Sequence, residues 1–118
     1  MDIYREEILE HWRNPQNFGE MKKPDFVIEQ VNPLCGDEVT FFFKIKKGKI
    51  EKVSFTGSGC AISMASASIL SEAIKNKKVS EIEKITGQDV LGLIGGNVAP
   101  ARLKCAFLPL EAVKRLKL

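Results

Sequence analysis

The stretch VTFFFKIKKGKIEKVSFT (residues 39–56), followed by GSGC (57–60) and AISMASASILSEAI (61–74), decides the fold. Val39, Phe41, Phe43 and Ile45 alternate with Thr40, Phe42, Lys44 and Lys46, the period of two that belongs to a strand with one buried face. Lys47-Gly48 turns the chain, and Ile50, Val53 and Phe55 continue as a second strand whose broken alternation predicts a bulge. From Ala61 the period changes. Ile62, Ala65, Ile69 and Ala73, with Leu70 and Ile74, fall at three- and four-residue steps, which predicts a long helix packed on the sheet, small serines filling the other positions.

Working outward, Phe26 to Val31 is β-prone and adds a third strand. Ahead of it, Asp2 can cap a short amphipathic helix with Tyr4, Ile8 and Trp12 on one face, stopped at Asn14-Pro15. Beyond residue 74, short helical pieces are expected over Val79–Ile85 and Asp89–Leu93, before Gly92, Gly95 and Gly96 loosen the chain into a loop. A last helix carries Leu110, Val113, Leu116 and Lys117. Pro109 fits a first turn, so this helix is expected to begin near Phe107, with Cys105 at its entrance. The layout predicts an α+β fold: two layers, a three-stranded antiparallel sheet with helices packed on one side. Residues 1–118 read as one domain.

With 44% hydrophobic and 28% charged residues, the composition is that of an ordinary globular chain. No apolar run approaches the roughly 18 residues of a membrane span, and Asp2, Glu6, Glu7 and Glu10 are unlike a signal peptide, so a cytoplasmic protein without a membrane partner is expected. The net charge of +3 is mild, although Arg102, Lys104, Lys114, Arg115 and Lys117 crowd the C-terminal end. Phe107 is the only aromatic nearby, which speaks for a solvated face or a docking patch for an acidic protein rather than nucleic acid.

Three cysteines without a secretion signal argue against a disulfide framework and for metal, redox or nucleophile chemistry, with buried core thiols as the plain alternative. Cys35 lies in the turn-forming Asn32-Pro33-Leu34-Cys35-Gly36-Asp37. Cys60 follows Gly57-Ser58-Gly59 at a strand-to-helix junction, and Cys105 precedes the last helix. None falls in an apolar stripe. Two lie near helix N-termini, where partial positive charge favours the thiolate, and Lys104 adds to this at Cys105. Their wide spacing excludes a local zinc-finger pattern, so only the fold could assemble them. Asp37, two residues after Cys35 across a glycine, can bring the ligand count to four, and a Cys₃Asp set suits zinc or an iron–sulfur cluster. His11 beside Trp12 reads as structural, and Gly57-Ser58-Gly59 lacks the lysine of a phosphate loop.

The segments Leu34-Cys35-Gly36-Asp37, Gly57-Ser58-Gly59-Cys60-Ala61-Ile62-Ser63 and Arg102-Leu103-Lys104-Cys105-Ala106, with His11-Trp12-Arg13-Asn14-Pro15-Gln16-Asn17-Phe18-Gly19, resemble the signature segments of the IscU/NifU-like iron–sulfur scaffold family, in order along essentially the whole chain. The resemblance implies a non-enzymatic scaffold on which a labile 2Fe-2S cluster is built and passed to recipient apo-proteins. It implies Cys35, Asp37, Cys60 and Cys105 as cluster or zinc ligands. A cysteine desulfurase would deliver sulfur as a persulfide onto Cys105, with Cys35 as the other candidate; accessible, cationic, glycine-loosened surroundings would suit that step. An electron donor would be a further partner, and the working form a monomer or homodimer.

Two departures matter. IscU-type members carry histidine before the third cysteine, whereas Lys104 resembles SufU, the zinc-binding sulfur acceptors of the same family. The step from Cys60 to Cys105, however, leaves no room for the segment that SufU proteins insert there. A zinc-bound sulfurtransferase is therefore the alternative reading. Asn97-Val98-Ala99-Pro100-Ala101 replaces the proline-rich motif read by dedicated chaperones, so no such partner is expected.

Overall fold

The computed structural model describes residues 3–33, 36–95 and 98–117, with side chains from residue 6 onward. Leu34 and Cys35, Gly96 and Asn97, and the expected cap Asp2 lie outside the described residues.

Helix α1 (Ile3–Arg13) ends at Asn14, and the chain then forms β1 (Phe26–Asn32), β2 (Asp37–Lys46) and β3 (Lys49–Ser58). The strands make one antiparallel sheet in the order β1-β2-β3. Lys47 and Gly48, both at positive φ (53° and 77°), make the tight β2–β3 turn. The expected bulge is present: Lys44 pairs with Lys52 but Ile45 with Ile50, leaving Glu51 as the extra residue. Val39, Phe41, Phe43, Ile50, Val53, Phe55 and Ile28 face the helices and are buried. Phe41, Phe43 and Phe55 touch ring to ring at centroid distances of 5.9 and 5.7 Å.

Helix α2 (Ala61–Ile74) lies against this face, joined by α3 (Val79–Ile82), α4 (Gly87–Ile94), a 3₁₀ turn at Pro100–Arg102 and α5 (Leu103–Val113). Leu70, Ile74, Leu108, Ala112, Val113 and Leu116 close the core from that side. The buried serines of α2 are bonded rather than idle. Ser68 Oγ accepts the Gln16 N–H and meets His11 Nδ1, each at 2.7 Å, and Ser71 Oγ stands 3.0 Å from Asn17 Nδ2. These bonds fasten α1 and the following loop onto α2. Gly19 N–H then donates to the Phe55 carbonyl and Phe55 N–H to the Asn17 carbonyl, covering part of the outer edge of β3.

Four expectations are corrected. Trp12 is 48% exposed; of the expected face Ile8 is buried, and the partly buried His11 makes the contact with α2 in place of Trp12. The piece expected over Val79–Ile85 stops at Ile82, and the one expected over Asp89–Leu93 runs from Gly87 to Ile94. There Thr86 caps the helix, its Oγ1 accepting the Asp89 N–H while Asp89 Oδ2 accepts the Thr86 N–H. Gly92 is thus helical, and Gly95, at φ 102°, makes the left-handed exit. Lastly, α5 begins at Leu103 rather than near Phe107 and holds Pro109 in its interior. Proline has no N–H to give the carbonyl four residues back, here that of Cys105, but burial of Leu108, Leu110 and Val113 outweighs that one lost bond.

Candidate metal centre

Three elements begin at one place. Asp37 is the first residue of β2, Cys60 stands at the N-cap of α2, and Cys105 is the third residue of α5. Gly36, at φ 75°, turns the chain into β2, and its N–H donates to the Asn32 carbonyl at 2.8 Å. The pairing of Asn32 with Asp37 fixes where that strand starts. At the other strand end, Val39 pairs with Gly57, where a side chain would bring its Cβ within 2.5 Å of the Glu38 carbonyl oxygen. Ser66 Oγ donates to the Ala106 carbonyl at 2.7 Å and ties the first turn of α5 to α2 beside Cys105.

The result is one compact set of donors: ligand atoms of Asp37, Cys60 and Cys105 all lie within 4.8 Å of one another. Two sulfurs bound to one tetrahedral zinc at 2.3 Å would stand roughly 3.8 Å apart, so this spacing is of the right size for a single ion. Asp37 is 5% exposed and Cys105 4%. Grouping two thiols, one of them buried, with a buried carboxylate is unfavourable unless a cation or protons offset the charge, and the donor set is one that zinc or iron accepts. Of the four ligands expected from the sequence, these three come together, while Cys35, two positions before Asp37 in the sequence, lies outside the described residues. His11 is engaged with Ser68 and is not part of the group.

The carboxylate is held from α2. The Cys60 N–H donates to Asp37 Oδ1 at 3.2 Å and the Ser63 hydroxyl to Oδ2 at 3.0 Å. Gly59 permits this approach, because a Cβ there would lie 2.8 Å from Asp37 Cγ, from Asp37 Oδ1 and from Ser63 Oγ. The role of Ser63 is absent from the sequence reading, which takes the serines of α2 as small fillers. Its signal is its place, one helical turn after Cys60.

Cys105 differs from expectation. It is buried within a helix rather than accessible at a helix entrance. Burial pushes its thiol up to about 12, and its hydrogen bonds to Cys60 and Asp37, with their negative charge, act in the same direction. The helix start and Lys104 do not yield a thiolate here, because the lysine side chain is exposed while the sulfur faces two other acidic groups. The metal-free site therefore keeps Cys105 protonated at neutral pH.

Comparison with known proteins gives the family. The chain is similar to iron-sulfur cluster assembly scaffold protein IscU 1 of Archaeoglobus fulgidus, 34% identical over 113 residues that cover 96% of this chain and 73% of that protein. It is equally similar to the zinc-dependent sulfurtransferase SufU of Bacillus subtilis, 34% identical with coverage of 96% and 88%. That second match runs over 130 positions, more than the 118 residues here, so the Bacillus protein carries residues inside the matched region that this chain lacks. Among solved structures, FiSufU of Fervidobacterium islandicum superposes with a TM-score of 0.79 at 28% identity, covering 93% of each chain. The N-terminal part of a NifU-like protein from Brucella abortus, 21% identical with a TM-score of 0.76 over 96% of this chain and 90% of that one, shares the fold. The model of the NifU-like N terminal domain matches residues 3–116, and the chain belongs to that family.

Proposed function

We propose that this protein is a scaffold for iron–sulfur cluster assembly, on which a labile 2Fe-2S cluster is built and then handed to apo-proteins. The observation that carries the reading is the convergence of Asp37, Cys60 and Cys105 at the starts of three elements, with ligand atoms within 4.8 Å. Cys35 is the fourth ligand in this reading, two residues from Asp37. Similarity to proteins named as cluster assembly scaffolds supports it.

The chemistry follows from the donors. The cluster is cargo: thiolates of Cys35, Cys60 and Cys105 hold its iron, and the carboxylate of Asp37 is a harder and weaker partner than a fourth thiolate, which favours release. A cysteine desulfurase supplies sulfur as a persulfide, with Cys105 as the acceptor. Because that thiol is buried, its surroundings have to open to admit the donor. No helix among the described residues is long and apolar enough to cross a membrane.

A second reading, a zinc-bound sulfur acceptor, is favoured by one feature, Lys104 before the third cysteine, together with the similarity to a zinc-dependent sulfurtransferase. Anaerobic reconstitution with iron, cysteine, a desulfurase and a thiol reductant that converts persulfide sulfur to sulfide separates the two. Visible 2Fe-2S absorbance that passes to an apo-ferredoxin supports the scaffold. Zinc retained throughout, with strong activation of the desulfurase, supports the acceptor and overturns the scaffold. Within the first reading, Asp37→Ala should keep the cluster longer than the parent protein, and faster loss of absorbance would refute the release role of Asp37.

A further inference from the structure

We propose that Ser63 is a positioning residue that recaptures the Asp37 carboxylate as metal leaves, and that it thereby speeds release. This rests on the metal-site reading above and adds to it a residue that is not a ligand.

The Ser63 hydroxyl has one proton and three polar neighbours around it, two of them oxygen acceptors. Asp37 Oδ2 lies at 3.0 Å, the Cys60 carbonyl oxygen at 3.1 Å and Cys60 Sγ at 3.6 Å. Ser63 is fully buried, so water cannot replace any of these partners without a change in packing. With the carboxylate ionised and no cation present, the charge-assisted bond to Asp37 is the strongest of the three. Once a cation meets the carboxylate, that bond loses most of its advantage, and rotation about one torsion gives the proton to the Cys60 carbonyl instead. The hydroxyl thus stabilises the metal-free site more than the loaded one. Gly59 keeps the space open, since a Cβ there would lie 2.8 Å from both Asp37 Cγ and Ser63 Oγ.

The consequence has a sign opposite to that of an ordinary ligand-orienting bond, whose loss weakens metal binding. Ser63→Ala removes a donor that matters chiefly in the metal-free state, so zinc should bind about tenfold tighter and leave correspondingly more slowly, in proportion to one charge-assisted hydrogen bond. Ser63→Thr keeps the hydroxyl and should release zinc at the parent rate. In an Asp37→Ala background, Ser63→Ala should change nothing further, a coupling that a purely structural serine would not show.

The experiment is zinc release from the full chain into a chromophoric chelator, followed for the parent, both Ser63 variants, Asp37→Ala and the double variant. Slower release from Ser63→Ala, abolished in the Asp37→Ala background, supports the proposal. Release at the parent rate or faster, or an effect that persists without Asp37, overturns it. A parent protein that binds no zinc through its thiols overturns the metal-site reading itself, and the role of Ser63 with it.

Discussion

The interior between sheet and helices and the polar end of the same layer are built from the same three elements, yet they are held by different forces. Along β2, the chain passes from Asp37 to Val39, Phe41 and Phe43; along α2, from Cys60 and Ser63 to Leu70 and Ile74; along α5, from Cys105 to Leu110 and Val113. Each element starts among buried polar groups and continues into apolar packing. The apolar part gains stability by excluding water and depends little on which groups touch. The polar end is costly without a partner and depends on individual atoms. Stability should therefore reside in one region and metal affinity in the other, and substitutions should separate the two.

The largest effect on folding is expected in the apolar region. Phe41→Ala empties a fully buried site between two other rings and should cost about 3–5 kcal/mol of unfolding free energy, read by urea denaturation of the metal-free protein. At the polar end, Cys60→Ser should lower zinc affinity by on the order of a hundredfold, one ligand's share of a four-ligand site, while shifting the urea midpoint little. Equal losses in both measurements would mean that the regions are not separable. Gly59→Ala is a sharper probe, since its Cβ meets only Asp37 and Ser63 among its nearest neighbours, and zinc affinity should fall by about tenfold or more although no ligand is replaced.

Protonation offers a further test. In the metal-free protein Cys105 holds its proton up to about 12, whereas in the unfolded chain it ionises near the model value of 9.0. The fold therefore prefers the neutral thiol. Its contribution is fully present below pH 9.0 and is lost as pH rises toward 12, so stability should decline across that window and less so in Cys105→Ala. At pH 7, iodoacetamide should modify the half-buried Cys60 well before Cys105, as read by peptide mass spectrometry. Equal rates would contradict the burial of Cys105. The smallest effect is expected at the exposed Lys117–Glu83 pair, 3.2 Å apart, where Lys117→Ala should change stability by less than about 0.5 kcal/mol.

The two regions were also unequally legible in the sequence. Period-two alternation in β2, the glycine turn, the bulge and the three- and four-residue steps of α2 are signals of apolar burial, which repeats, and all of them correspond to observed elements. Residue chemistry offered Asp37, Cys60 and Cys105 as members of one ligand set, but only motif resemblance made that grouping specific, because contacts across distant parts of the chain leave no local period. Errors gather where local rules met tertiary packing. Pro109 suggested a late start for α5, yet burial on both sides of it keeps the helix continuous from Leu103. Helix-end and lysine effects suggested a reactive Cys105 thiolate, yet desolvation and two acidic neighbours decide the opposite. Ser63 went unnoticed because a small residue in a helix is ambiguous until its neighbours are known.

Cobalt(II) titration of the metal-free chain, monitored in the near ultraviolet and visible, tests the convergence of the three elements most directly. One ion per chain is expected, with tetrahedral d–d bands and thiolate charge-transfer absorbance that weakens in each of Cys35→Ser, Cys60→Ser and Cys105→Ser, while Asp37→Ala alters the d–d bands and spares the charge transfer. Weak octahedral bands without charge transfer, or absorbance indifferent to Cys60 and Cys105, would contradict a single site built where β2, α2 and α5 begin.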